Sequence, residues 1–145
     1  MDWVFQQTLS DKKLMLPTLS YYDDFDHLVK SMREQLKPFE TRMPKVLVLG
    51  ALGRCGRGAV SMAEGAGLEP VKWDLEETRK GGPFEELLNY DIVVNCIYLA
   101  KPIPPFINKT LIERPDRRLS VVVDVSCDFT NPENPLPIYS QVEYF

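Results

Sequence analysis

The sequence predicts an α/β protein built on a parallel sheet, and three observations support that prediction. Short β-branched runs at 46–49, 71–73, 91–95 and 120–125 alternate with stretches of helical period, the order that parallel strands with crossover helices require. Val46 to Leu49, Ile92 to Val94 and Val121 to Val123 are continuously apolar, as expected of strands covered on both faces. The first of these runs passes directly into Gly50-Ala51-Leu52-Gly53-Arg54-Cys55-Gly56, a glycine turn between a strand and a helix. Together they specify a Rossmann-like doubly wound parallel sheet preceded by an N-terminal arm and helix. Residues 1–43 read as the arm and helix, and residues 44–145 as the sheet-bearing domain.

Each element follows from its local sequence. Residues 1–20 carry no sustained period and contain Pro17, so they read as an irregular arm. Asp23 or Asp24 then offers an N-cap, Phe25, Leu28, Val29, Met32 and Leu36 follow helical spacing, and Pro38 stops the run. His27 lies between polar neighbours on the outer face and reads as a solvated surface histidine. After the glycine turn, 57–65 supplies a small-residue helix with Ala59, Met62 and Ala63. The segment 83–89 reads as a short acidic helix and 107–113 as a third, with Pro102, Pro104 and Pro105 forming a rigid loop between strand and helix. Asn131-Pro132 and Asn134-Pro135 are turn chemistry.

Composition narrows the function. The 145 residues suffice for one domain with its own core. Hydrophobic residues make up 44% and charged residues 26%, ordinary globular values. A net charge of −4 gives no broad basic footprint for nucleic acid or anionic lipid, so neither is expected as a partner. No run has the length of a membrane span, and the first residues lack the pattern of a signal peptide; the expected compartment is the cytoplasm. The three cysteines, Cys55, Cys96 and Cys127, have neither disulfide-framework nor zinc spacing, so no metal is expected.

The chemistry-bearing residues gather at the strand ends. Gly50, Gly53 and Gly56 form a G-x-x-G-x-x-G variant of the dinucleotide fingerprint, in which a tight turn lets backbone approach a pyrophosphate and helix pack on strand. The helix opening near Arg54 aims its amides at the phosphates, and Arg54 can neutralise them. No Lys-Ser or Lys-Thr pair follows the last glycine, which argues against a P-loop. Asp74 stands about 20 residues on, where a carboxylate accepts both hydroxyls of an adenosine ribose and repels a 2′-phosphate, favouring NAD over NADP. Asp74 equally fits the N-cap of a helix at 75–78, and the two roles are compatible. Asn95 to Tyr98 and Asp124 to Asp128 place polar groups at the ends of other strands, at the edge where such sheets bind ligands. If the strand at 91–96 crosses over to lie beside the first, Cys55 and Cys96 share that edge; a disulfide and two reduced thiols both stand open.

Several segments together resemble one family, the NAD-dependent, lysine-forming saccharopine dehydrogenases of the α-aminoadipate route to lysine. GALGRCGRGAV, KWDLEETRKGGPF, DIVVNCIYLAKPIPPFIN and RRLSVVVDVSCDFTNPENP are similar to its successive blocks over residues 44–138, and DWVFQQT resembles a block preceding the nucleotide domain. The resemblance implies an oxidoreductase with NAD as cofactor. It places Gly53 and Arg54 on the phosphates, Asp74 and Thr78 near the adenosine ribose, Tyr98 and Val125 along the dinucleotide, and Ser126, Cys127 and Asp128 toward saccharopine. Cys55 and Cys96 match the family's paired cysteines. Phe129 stands where the family has threonine.

The resemblance implies that the sheet is incomplete at its C-terminal end, that 1–43 is a remnant linking to a missing domain and that 44–145 is the NAD-binding domain. It also implies that the family's acid/base lysine and histidine come from that missing first domain, with no counterpart in these residues. The expectation is therefore a NAD-binding portion, inactive alone, that meets saccharopine only when the other domain is supplied. The alternative is a non-catalytic paralogue or regulatory nucleotide-binding module. A short-chain reductase is disfavoured, because Lys101 follows Tyr98 by three residues where that catalytic pair requires four.

Overall fold

A computed structural model describes residues 21–127 and 129–140. The arm at 1–20 lies outside the described residues, as do Asp128 and 141–145. Helix α1, Phe25–Leu36, starts where Asp24, in extended backbone, accepts the amide of His27 at 2.7 Å. Pro38 then removes a donor, and the chain tightens into a 3-10 segment, Lys37–Arg42. His27 is exposed and lies edge-on to Tyr22.

Strands β1 (Val46–Leu49), β2 (Val71–Trp73), β3 (Ile92–Asn95) and β4 (Val121–Asp124) form one parallel sheet in the order β2-β1-β3-β4. The chain moves from β1 to β2 on one side, then crosses to set β3 on the other, with Leu47 opposite Val93. That reversal between β1 and β3 opens a crevice at the carboxyl ends of the strands, where α/β sheets take their ligands.

Alternate side chains of β1 and β3 enter two separate apolar layers, as the period of two demands. Leu47, Leu49 and Val93 pack with Phe84, Leu87, Phe106, Ile107, Leu119 and Leu136. Val46, Val48, Ile92 and Val94 pack instead under Val60 and Ala63 of α2 (Arg54–Gly65) and Leu36 of α1. The amphipathic helix thus docks on the same core as the glycine-turn helix. Arg33 Nε donates to the Gly65 carbonyl at 2.6 Å, satisfying an end of α2.

Four expectations are corrected. Helix α2 begins at Arg54 rather than Arg57. The acidic segment is a 3-10 helix, Glu85–Asn89, in which the Leu87 and Tyr90 amides donate to the carbonyls three residues back, Phe84 and Leu87. The third helix shrinks to a single turn, α4 (Lys109–Ile112), whose first turn is capped by Asn108 accepting from Leu111 at 2.8 Å. Val121 to Val123 are half-buried rather than central, because β4 pairs only with β3 among the described residues.

At the opposite ends of the strands, Asp91 fastens the entry to three of them. Its buried carboxylate accepts the Lys45 amide at 2.7 Å and Arg118 Nε at 2.8 Å. Truncation leaves the Lys45 amide, in a part-buried bond, and a half-buried guanidinium without their acceptor. Asp91→Ala is therefore expected to lower unfolding free energy by about 2 to 3 kcal/mol, read as a shift of the urea midpoint at unchanged slope.

Candidate dinucleotide site

The site begins where β1 runs out of apolar residues. Gly50 takes φ of 77°, and a Cβ there would lie 2.8 Å from Ile97 Cγ1. A Cβ on Gly56 would lie 1.9 Å from the Gly50 carbonyl oxygen, so only bare backbone lets α2 start this close to the strand. Gly53, exposed, is the N-cap of α2 and supplies no side-chain hydrogen bond to its first turn. The turn therefore presents backbone amides and the positive end of a helix beside the crevice. Arg54 and Cys55 are exposed on that first turn.

Asp74 closes the β2 side. Its Oδ1 accepts the Leu75 amide at 2.9 Å, capping α3 (Leu75–Thr78), while Glu77 accepts the Asp74 amide at 2.7 Å. Its Oδ2 accepts the Leu52 amide from the glycine turn at 2.8 Å. The capping role is thus occupied, the Glu77 amide included, and the carboxylate keeps acceptor capacity for a ribose hydroxyl. Thr78 is buried, with its hydroxyl donating to the Asp74 carbonyl at 2.7 Å, so it supports Asp74 from behind.

On the other side of the crevice the last residues of β3 and β4, Asn95 and Asp124, are register partners. Asn95 is fully buried, and its Nδ2 donates to Asp124 Oδ1 at 2.9 Å and to the Ile97 carbonyl at 3.1 Å. Ser126 gives Asp124 Oδ1 both its amide, at 3.2 Å, and its hydroxyl, at 2.6 Å. Tyr139 donates to Asp124 Oδ2 at 2.6 Å. Burial alone would push the Asp124 carboxyl up, but the bonds from Ser126, Tyr139 and Asn95 outweigh it and hold the carboxyl below its ordinary value. Tyr139 is pushed well above the usual phenol range by desolvation, then by its bond to Asp124.

The structure thus sets Gly50, Gly53, Arg54 and Gly56 between Asp74 and Thr78 on one side and Tyr98, Val125, Ser126 and Cys127 on the other. Tyr98 and Val125 are exposed, as are Leu52 and Leu75, so apolar side chains rim a polar floor. All three thiols are free; Cys55 and Cys127 are exposed and Cys96 is half-buried. Desolvation, then the neighbouring Cys55 and Asp124, raise the Cys96 thiol above its ordinary value. Among the described residues no cluster could hold a metal ion, and no helix is long and apolar enough to cross a membrane.

Sequence reasoning set Asn95 and Asp124 at this edge but gave them no role and no bond to each other, and it missed Tyr139 altogether. Two apolar runs that each end in one polar residue, IVVN and VVVD, carried the signal for the first pair. Tyr139 had none, since its return to β4 depends on the path of the intervening loop.

No family model matches the chain. The curated relatives it resembles include proteins named saccharopine dehydrogenase (NAD+, L-lysine-forming). The one from Yarrowia lipolytica is 48% identical over 144 residues, covering 95% of this chain and 39% of the relative. The one from Candida glabrata is 48% identical, covering 99% and 40% respectively. The Schizosaccharomyces pombe protein is 50% identical over 117 residues, 79% of this chain and 32% of its own length. The chain spans about two fifths of the first relatives' length.

Two measurements check this geometry. The Asp124 carboxyl titrates lower folded than unfolded, so its stabilisation is complete above the ordinary value of 3.8 and is lost as pH falls through the lower folded value. The Tyr139 phenol titrates higher folded, so its contribution is complete below 10.0 and is lost as pH rises toward the folded value. In Tyr139→Phe the alkaline loss due to this phenol disappears and the acid loss shrinks, as read from stability against pH. Separately, iodoacetamide should modify Cys96 more slowly than Cys55 or Cys127, as followed by peptide mass spectrometry.

Proposed function

We propose that this chain, homologous through nearly all of its length to NAD-dependent, lysine-forming saccharopine dehydrogenases, is the NAD-binding portion of such an enzyme. The overall reaction would convert saccharopine, NAD and water to lysine, 2-oxoglutarate and NADH, in lysine biosynthesis by the α-aminoadipate pathway in the cytoplasm. The observation that carries the reading is Asp74 at the end of β2, bonded at 2.8 Å to the Leu52 amide of the glycine turn. That bond fixes a carboxylate beside the bare backbone against which a pyrophosphate can lie.

The residues fit a dinucleotide. The adenosine ribose would hydrogen-bond Asp74 over β2, and a 2′-phosphate there would meet a negative charge. The pyrophosphate would lie on Gly53 and the first amides of α2, with Arg54 within reach of its charge. Tyr98 and Val125 would cover the remaining half with apolar surface, and Ser126, Cys127 and Asp128 would face saccharopine. Bound NAD supplies a hydride acceptor; the protein's part is to orient it and to exclude water.

Proton transfer in such a reaction needs acid and base groups held at the reacting centre. The family resemblance assigns them to a domain outside these 145 residues. The chain by itself is thus a dinucleotide binder without turnover, and saccharopine becomes a partner only when that domain is supplied.

Calorimetric titration tests the reading. NAD should bind, NADP should bind more weakly, and Asp74→Ala should lose about tenfold in NAD affinity through the missing ribose bonds. The same change should cost about 1 kcal/mol of stability through the lost cap. Unchanged NAD affinity in the variant would sink the ribose assignment, and saccharopine-dependent NADH formation by the chain alone would refute the division of labour.

A further inference from the structure

We propose that Asp124 is a positioning residue for the nicotinamide half of the dinucleotide, acting through the Val125–Cys127 segment that it holds against β3. The inference rests on the NAD reading of the site. It starts from an imbalance in the sheet: β4 is half-buried and pairs with one strand among the described residues, yet its last residue is the most heavily bonded side chain of the carboxyl edge. One carboxylate gathers the Asn95 amide group, the Ser126 amide, the Ser126 hydroxyl and the Tyr139 phenol. An edge strand needs none of these bonds for its ladder.

Those bonds instead fix the segment just past the strand. The Ser126 bonds close a tight turn on Asp124, and the Val125 amide donates to the Asn95 carbonyl at 2.9 Å, continuing the ladder past the strand end. Cys127 then takes φ of 45°, a left-handed conformation that a side chain disfavours and that surrounding bonds must enforce. Phe129 meets the Tyr139 ring at 6.3 Å between centroids, so the loop is held on both sides of Cys127.

Position decides which part of the ligand this segment serves. Asp74 puts the adenosine ribose over β2, and the glycine turn puts the pyrophosphate over β1. Strands in a sheet lie about 4.8 Å apart, so the rest of the molecule continues over β3 and β4, where Val125 is exposed. Asp124 itself is engaged by its protein partners and touches no ligand; it sets the height and angle of the rim.

The test compares NAD with ADP-ribose, which keeps the adenosine, both phosphates and a second ribose but has no nicotinamide. Calorimetry on the 145-residue chain, Asp124→Ala and Asp124→Asn gives each affinity. In Asp124→Ala, NAD affinity should fall about tenfold while ADP-ribose affinity stays within about twofold. Asp124→Asn should recover most of the loss, because its amide oxygen still accepts from Ser126 and Asn95. Amide exchange at Ser126 should quicken in Asp124→Ala while that at Val93 does not. An equal loss for both ligands would mark a general stability effect and overturn the positioning role, as would unchanged affinity for both. A wild-type chain that binds neither ligand overturns the NAD reading itself, a different result from either.

Discussion

The contact between the Gly56 backbone and the Gly50 carbonyl sets the geometry on which the remaining site depends. Were Gly56 to carry a side chain, α2 would have to lift from the end of β1, since its Cβ would fall 1.9 Å from that oxygen. Lifting the helix would also move Leu52, whose amide reaches Asp74, and so separate the glycine turn from β2. Three features of a dinucleotide site therefore share one steric cause: a helix end aimed at the crevice, a carboxylate at a fixed distance from it, and open backbone between them. The packing of α2 over Val46, Val48, Ile92 and Val94 then fixes this arrangement to the buried sheet.

The two edges of the sheet use carboxylates in different ways. At the amino edge Asp91 is paired with a guanidinium and a backbone amide, which serves stability by tying β1, β3 and the approach to β4. At the carboxyl edge Asp74 and Asp124 take their bonds from backbone amides, a hydroxyl, a phenol and an amide side chain, with no cation in the bonds that hold them. On the proposed NAD reading, a cation on Asp74 would cancel the charge that separates a plain ribose from a phosphorylated one. Neutral donors keep that charge in place while still fixing the side chain.

The features legible in the sequence were local. Gly50 to Gly56 and the run before them specify a strand, turn and helix within a dozen residues, and Asp74 declares a cap as plainly as a ribose acceptor. The crossover of β3 to lie beside β1 stood in the sequence only as a condition of a doubly wound sheet, and the pairing of Leu47 with Val93 meets it. The features that escaped depended on contacts distant in sequence. Three valines in a row look like a central strand whatever lies beyond them, so the half-buried state of β4 was hidden. The bonds that join Asp124 to Asn95 and Tyr139 close over separations of 29 and 15 residues. The acidic segment differs in another way: its residues are helical as expected, but its amides bond three residues back, Leu87 to Phe84 and Tyr90 to Leu87, a choice of hydrogen-bond register that periodicity does not display.

On the proposed reading of the chain as a NAD-binding portion, the rim residues separate what holds the site's shape from what a ligand would cover. Leu52 is 72% exposed, Leu75 70% and Tyr98 64%, all beside the carboxyl edge, whereas Leu47, Leu49 and Val93 beneath them are fully buried. The core that orders the site is complete within the described residues and draws nothing from the rim. Apolar side chains left at the mouth of a polar crevice gain by being covered, by a ligand's flat rings or by another surface closing over it. Binding and closure would therefore draw on the same exposed area, so that a dinucleotide lying across β2, β1, β3 and β4 would itself complete part of the face that a second domain meets. On that proposed reading, water exclusion at the reacting carbon would depend on both surfaces together.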